Sequence, residues 1–316
     1  MNTTRFAKSL AVAALIGGLA STANMEVTVN AAPQGRGKTP PPPPSMASRA
    51  ERCAVDATPV ETLELIDLQT STMKDSGGIV TIPVYWHVVT TASGGGNVSS
   101  RIADQMNVLR DAYAGSRFVF DLQGVDVTAN DAWFFGAAGS PEEVAMKTTL
   151  RKGGPDTLNI YTTNGDVYLG WATLPFYYKF GPSYDGVVLW WASLPGTGLA
   201  GASDEEPDGI LTYDQGDTGT HEVGHWLGLE HTFGPGDGSC SKPGDKIKDT
   251  PTEAEPQFFC KARNSCDGAN NPGDDPITNF MDYVDDVCMD NFTAEQTKRM
   301  HTHWHAYRDK KTRLDK

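Results

Sequence analysis

"HEVGHWLGLEH", His221–His231, places three histidines and a glutamate within eleven residues, and its reading decides the fold. On a helix, residues four apart share a face, so His221 and His225 can present ring nitrogens to one point. Glu222, rotated roughly 100° from His221, stands beside that point without ligating it. Gly228 tolerates a positive φ, so the helix can end there and the chain turn back, bringing His231 in as a third nitrogen. Three neutral imidazoles with an open fourth position describe a catalytic zinc site, whereas structural zinc sites close with four protein ligands. A metal there lowers the pKa of water from ~15.7 toward ~7, and Glu222 is placed to take the proton as the water attacks a carbonyl. The alternative, a helix with scattered histidines, has to assemble the same residues at the same offsets by chance.

Downstream, "NFMDYV" (Asn279–Val284) supplies a methionine, Met281, as an apolar floor beneath the three histidines. Tyr283, two residues on, can reach the metal or the oxyanion of a tetrahedral intermediate, or it can be a packed core tyrosine. Between the two motifs runs a long Gly/Pro/Asp-rich stretch without periodicity, implausible inside a folded domain unless something pins it. Cys240, Cys260, Cys266 and Cys288 lie in and around it and can form two disulfides, for which three pairings exist. A final helix opens at "TAEQTKRMHTHWHAYRDKK", with Thr293 and Gln296 spaced as a capping box. His301, His303 and His305 are spaced by two on it, point in different directions and form no site by themselves.

Upstream, "IVTIPVYWHVVT" (Ile79–Thr90) is rich in β-branched and aromatic residues and predicts a strand in which His87 is a satisfied core residue. "SSRIADQMNVLRDAYAG" predicts a helix with Ile102, Met106, Leu109 and Tyr113 on one face. "RFVFDLQGVDVT" reads as a strand, and "SPEEVAMKTTLRKG" as a helix with a Ser N-cap and Pro at its first position. "DTLNIYTT" and "DGVVLWWASL" are two more strands. The fold class is α+β: a mixed twisted sheet with backing and active-site helices, then an irregular, disulfide-stapled lower subdomain, all within one domain over 79–316.

The first 23 residues read as a secretory signal, with Arg5 and Lys8 ahead of an apolar Leu10–Ala20 too short to span a bilayer. Cleavage is expected near Ala23, with Ala32 as a second position. Residues 24–78 include five consecutive prolines (Pro40–Pro44) and read as a Pro-rich pro-segment, in which "VETLELIDLQ" carries a short helical periodicity. No other stretch is long and apolar enough for a membrane helix. The formal charge of −14 over 316 residues argues against nucleic acid or an anionic membrane as partner. A secreted, extracellular, soluble and monomeric protein acting on protein or peptide substrates is expected. Asn97 and Asn291 head glycosylation sequons.

"HEVGHWLGLEHTFG", "NFMDYVDDVCM" and "LGWATLPF" together resemble the pappalysin family of metzincin metalloproteases, whose sequence signature is this zinc-motif spacing followed by a methionine turn. The resemblance spans about residues 79–316 and is most specific at the zinc motif and Met281. It implies a zinc-dependent endopeptidase with His221, His225 and His231 on the metal, Glu222 as general base and Met281 in the Met-turn. It implies disulfides Cys240–Cys266 and Cys260–Cys288. It also implies structural calcium near "GDKIKDTP", where Asp245, Asp249 and Thr250 offer hard oxygen ligands. Cys53 in "ERCAV" resembles a pro-segment cysteine whose thiolate takes the open metal position and keeps the precursor latent, although Ala54 stands where a glycine is common. A simple free thiol is the alternative for Cys53. The family's preference for a basic residue after the scissile bond would place an acid in the primed-side pocket, drawn from Asp282, Asp285 and Asp286. Met73–Lys74 is then a candidate self-cleavage site.

Overall fold

The β-branched and aromatic run after residue 79 forms β1 (Val80–Thr90), which pairs in parallel with β2 (Phe118–Ala129) on one side and β3 (Leu158–Thr163) on the other. The sheet continues through β4 (Gly170–Ala172) and β5 (Val187–Trp190), in the order β2-β1-β3-β5-β4. β3 and β5 are parallel, and β4 closes the sheet as an antiparallel edge strand. The computed structural model describes residues 52–55, 60–73, 75, 77–198, 213–234, 240, 244–268 and 272–314. All of them fall in the compact unit Pro42–Lys316. The expected signal sequence, most of the Pro-rich pro-segment and Lys74 of the candidate cleavage site lie outside the described residues.

Strand burial follows position in the sheet. β3 and β5 are buried along their whole length because both faces are covered. β2, at the far edge, begins with buried Phe118 and Phe120 and exposed Val119, the alternation of a strand with one face toward water. On one face, Val84, Trp86 and Val88 meet Met106 and Leu109 of α2 (Ile102–Ala112), Val223 and Trp226 of α5 (Asp217–Trp226), and Met300 of α6 (Ala294–His303). The other face packs Val89, Tyr161 and Val188 against Phe134 of α3 (Asp131–Phe134) and Met146 of α4 (Pro141–Leu150). Ser140 caps α4 by accepting the Glu143 N–H at 3.2 Å, and α6 carries the full Thr293/Gln296 capping box.

Past α6 the chain widens into a π-helical turn, Trp304–Arg308, that seats Arg308 fully inside the protein. Its guanidinium lies 3.6 Å over the Trp226 ring, and its Nε donates to the Trp226 carbonyl at 2.8 Å, closing the C-terminal end of α5. Asp185 accepts from both Nη atoms at 3.1 and 3.2 Å, a forked, charge-assisted arrangement. In the lower part, Cys240 is bonded to Cys266 and Cys260 to Cys288, with Cα atoms 5.4 and 5.7 Å apart. That is the pairing implied by the resemblance, and it staples the otherwise irregular segment. Cys53 is free and buried.

Two pieces of the upstream chain dock on this frame. Arg52–Ala54 adds to the outer edge of β4: Leu169 donates to the Arg52 carbonyl at 3.0 Å, and Ala54 donates to the Gly170 carbonyl at 3.2 Å, with Cys53 opposite Gly170 in parallel. The helix α1 (Val60–Thr70) buries Ile66 against Phe176, Ala306 and Tyr307. The three-residue β4 carries no readable periodicity, and its strand character comes from pairing with β5. No helix among the described residues is long and apolar enough to cross a membrane.

Candidate metal centre

The helix α5 carries His221 and His225 on one face, and Gly228 ends the turn after it with φ +102°. A Cβ on Gly228 would lie 2.0 Å from His303 Nδ1, so glycine is required there both for conformation and for space. The turn brings His231 back, and the Nε2 of His225 stands 3.1 Å from that of His221 and 3.0 Å from that of His231. His221 Nδ1 lies 2.7 Å from the Phe280 carbonyl and His225 Nδ1 2.8 Å from the Leu229 carbonyl. A carbonyl only accepts, so each Nδ1 carries the ring proton and the matching Nε2 offers a lone pair. Lone pairs converging at 3 Å in a buried site repel one another unless a cation lies among them, and three imidazole donors suit zinc. Burial, first, and mutual proximity of the rings, second, hold the His221 group well below the usual histidine range; burial pulls His225 down to about 4. Neutral rings are the ligating form.

Cys53 completes the cluster. Its Sγ and one nitrogen from each of His221, His225 and His231 lie within 4.8 Å of one another, all four residues buried. The same thiol donates to Glu222 Oε2 at 3.4 Å. Burial, and then the nearby Glu222 charge, push the Cys53 thiol up, while burial raises the Glu222 carboxyl to about 8. Glu222 is backed by Gly170 of β4, where an added Cβ would come within 2.8 Å of Glu222 Cγ and 3.0 Å of the Val188 carbonyl. Beneath the histidines, Met281 is fully buried and its Sδ fills the space over Gly224, where a Cβ would approach to 2.5 Å. Asn279 fixes this turn by accepting the Met281 N–H at 3.0 Å while exchanging two side-chain hydrogen bonds with Gln296. Gly170, Gly224 and Asn279 escape sequence reasoning, because each matters through a neighbour distant along the chain.

Tyr283 packs against His221 and His231, with ring centroids 5.8 and 4.9 Å apart, and its hydroxyl donates to the Cys53 carbonyl at 3.4 Å. Arg52 reaches down beside it. Its guanidinium meets the Val284 carbonyl, lies 3.1 Å from Asp286 Oδ1 and sits 4.5 Å over the Tyr213 ring. The three acids after Met281 part company here. Asp286 meets Arg52 and also takes the N–H groups of Gln215, Gly216 and Asp217 on its Oδ2, at 2.9 to 3.3 Å, at the N-terminus of α5. Asp282 turns the other way and accepts from Gln257 and Tyr283 backbone N–H groups at 3.1 and 2.7 Å. Asp285 is buried at the start of the 3-10 turn Asp286–Cys288.

The remaining expected site residues fall in several places. Asp245 and Thr250 are buried together near the α6 N-terminus, with Asp245 Oδ1 accepting from Ile247 at 2.9 Å. Asp249 does not join them. It accepts from Thr293 Oγ1 at 2.7 Å and the Glu295 N–H at 3.0 Å, because the unpaired donors of the helix start draw its carboxylate outward. Asn97 is exposed, whereas the Asn291 amide is committed to Thr278 and Asp290. His87 is buried between Asp126 and Asn159. His303 turns toward Gly228, while His301 and His305 face Asp75, a residue that sequence spacing gave no reason to place there.

Comparison with known proteins agrees with this geometry. Residues 210–304 match the model of the Pregnancy-associated plasma protein-A peptidase family. An extracellular metalloprotease of Colletotrichum graminicola is 44% identical over 237 residues, covering 72% of this chain and 78% of that protein. Among solved structures, a mutant of Tannerella forsythia promirolysin superposes with a TM-score of 0.63 at 28% identity, over 80% of this chain and 94% of that one. Mature mirolysin of the same organism, in complex with a cleaved peptide, gives a TM-score of 0.56 at 30% identity, over 71% and 90%. The chain therefore belongs to the Pregnancy-associated plasma protein-A, or pappalysin, family of metzincins, and it is a zinc-dependent metalloendopeptidase.

Proposed function

We propose that the chain is a secreted endopeptidase made as a latent precursor, with His221, His225 and His231 holding zinc, Glu222 acting as general base and Cys53 closing the metal's open position. The observation that carries this reading is the Cys53 Sγ gathered with the three histidine nitrogens while bonded to Glu222 at 3.4 Å. The one sulfur thereby reaches Glu222 as a thiol donor and lies where, once deprotonated, it would occupy the metal's open position. Secretion is supported by the extracellular designation of relatives and by the signal-like first 23 residues. A structural calcium, if bound, would sit at Asp245 and Thr250 without Asp249.

The chain's own residues then divide the chemistry. Zinc held by the three histidines supplies polarisation of a scissile carbonyl and acidification of a water. Glu222, buried beside the trio, accepts the proton of the attacking water and passes it to the leaving amine. Tyr283, freed of the Cys53 carbonyl, directs its hydroxyl toward the oxyanion. Met281 and the Phe280 and Leu229 carbonyls hold the imidazoles in place from below and behind.

Arg52 gives the specificity reading. A guanidinium from the pro-segment is held by Asp286, the Val284 carbonyl and Tyr213, so a basic side chain of a substrate would find the same partners once the segment has left. Asp286 is thus proposed as the acid of the primed-side pocket. The test pairs the purified precursor with Cys53→Ala and Glu222→Ala, assayed on peptides differing only in the residue after the cleaved bond. Activity of Cys53→Ala without processing, a preference for Lys or Arg that Asp286→Asn weakens, and silence of Glu222→Ala are expected. A Cys53→Ala precursor as latent as the parent would overturn the switch.

A further inference from the structure

We infer that Asp75, His301 and His305 form a second cation site of the zinc class, joining the segment ahead of β1 to the C-terminal helix. His301 is fully buried, and its Nε2 stands 2.7 Å from the Ser116 carbonyl. Since a carbonyl only accepts, the ring proton sits on Nε2 and Nδ1 carries the lone pair. That Nδ1 is buried without a hydrogen-bond partner and lies 3.8 Å from Asp75 Oδ1, itself an acceptor. Only the His301 Nδ1 lone pair is buried; the Asp75 carboxylate it faces is partly exposed, and a cation between the two would satisfy that lone pair.

His305 supplies the third donor. It follows His301 by four residues, and one ligand atom from each of Asp75, His301 and His305 lies within 4.8 Å of the others. His305 Nδ1 is 3.3 Å from Asp309 Oδ2, the carboxylate–imidazole pairing that fixes the ring of a metal-binding histidine. Asp75 is held in place by the Gly77 N–H at 2.9 Å and by Arg117, which donates to both carboxylate oxygens, to Oδ1 at 3.2 Å. His301 in turn stacks on Phe118 with centroids 4.3 Å apart, so its ring cannot swing away. Two imidazoles and one carboxylate, with a remaining position for water, are a borderline donor set suited to zinc rather than to calcium or magnesium. Such an ion would fasten residue 75 to α6 and thereby pin the start of the sheet.

The experiment uses the full chain carrying Glu222→Ala, which keeps all ligands and prevents self-cleavage. The chain is stripped with chelator, equilibrated with zinc alone at a buffered free concentration, and its zinc per chain is measured by mass spectrometry. A second equivalent is expected, lost in Asp75→Asn and in His305→Gln while the first remains. In a His225→Ala background, zinc should still raise Tm, and adding His305→Gln should remove that rise. Melting in chelator checks that each variant is folded, and Asp75, being exposed, gives a variant that decides the question should His305→Gln fail to fold. One equivalent in the parent, or a second equivalent unchanged by Asp75→Asn and His305→Gln, would overturn the site.

Discussion

Glu222 and Gly228 show how much a single position carries in this protein. Glu222→Gln keeps the size of the side chain and leaves the three imidazoles untouched, so zinc content should stay at the parent value. If Glu222 is the general base proposed above, its loss should lower kcat by about 10²–10⁴-fold, with KM little changed, which steady-state kinetics on an activated form would read. Gly228→Ala meets both a positive φ and a 2.0 Å approach to His303 Nδ1. A loss on the order of 2 kcal/mol or more is expected, read as a lower Tm together with weaker zinc retention, since the turn delivers His231. A parent-like Tm would show that His303 yields to the added methyl.

At the scale of elements, α5 is fixed at both ends by residues far from it in sequence. Arg308 closes its C-terminus through the Trp226 carbonyl and the Asp185 fork. Removing one member of a buried pair leaves the other uncompensated, so Arg308→Ala should cost about 3–5 kcal/mol in chemical denaturation. The N-terminus carries the opposite arrangement. Burial, and then the Asp286 charge, raise the Asp217 carboxyl to about 7. A carboxyl whose folded value lies above its unfolded value of roughly 3.9 binds its proton more tightly when folded. Its contribution to stability therefore falls as pH rises from there to about 7. Asp217→Asn should gain in Tm over the parent progressively across that interval and level off above it; a difference independent of pH would show that burial and the Asp286 charge do not raise the Asp217 carboxyl.

For the whole molecule, the irregular lower part is held by two covalent staples, Cys240–Cys266 and Cys260–Cys288. Each disulfide closes a loop of 26 or 28 residues, and replacing Cys260 and Cys288 together by serine should cost about 3 kcal/mol. The loss should appear as earlier unfolding and as proteolysis within residues 240–288, whose described residues carry little periodic secondary structure to compensate. Chelation should abolish peptidase activity and lower Tm in proportion to the zinc bound, because an ion held only by the folded state stabilises it by mass action. Activity persisting after complete zinc removal would be incompatible with the zinc assignment.

The sequence by itself determined what depends on local spacing. The i, i+4 pair His221/His225, the glycine that lets His231 return, the Ser140 and Thr293 caps and the β-branched runs of β1, β3 and β5 are legible because their physics acts within one or two turns or along one strand. Cys53 could be read as a switch from resemblance alone, yet its contact with Glu222, 169 residues away, exists only in the folded chain. The tertiary structure alone decided that Gly170 backs Glu222, that Asp286 rather than Asp282 meets Arg52, and that Asp249 caps α6. It also converted three histidines that looked scattered into one support for Gly228 and two partners of Asp75. Each of these is a pairing across long chain separation, where sheet edges, helix ends and buried charges choose partners by desolvation and hydrogen bonding in three dimensions, and no periodicity along the chain records that choice.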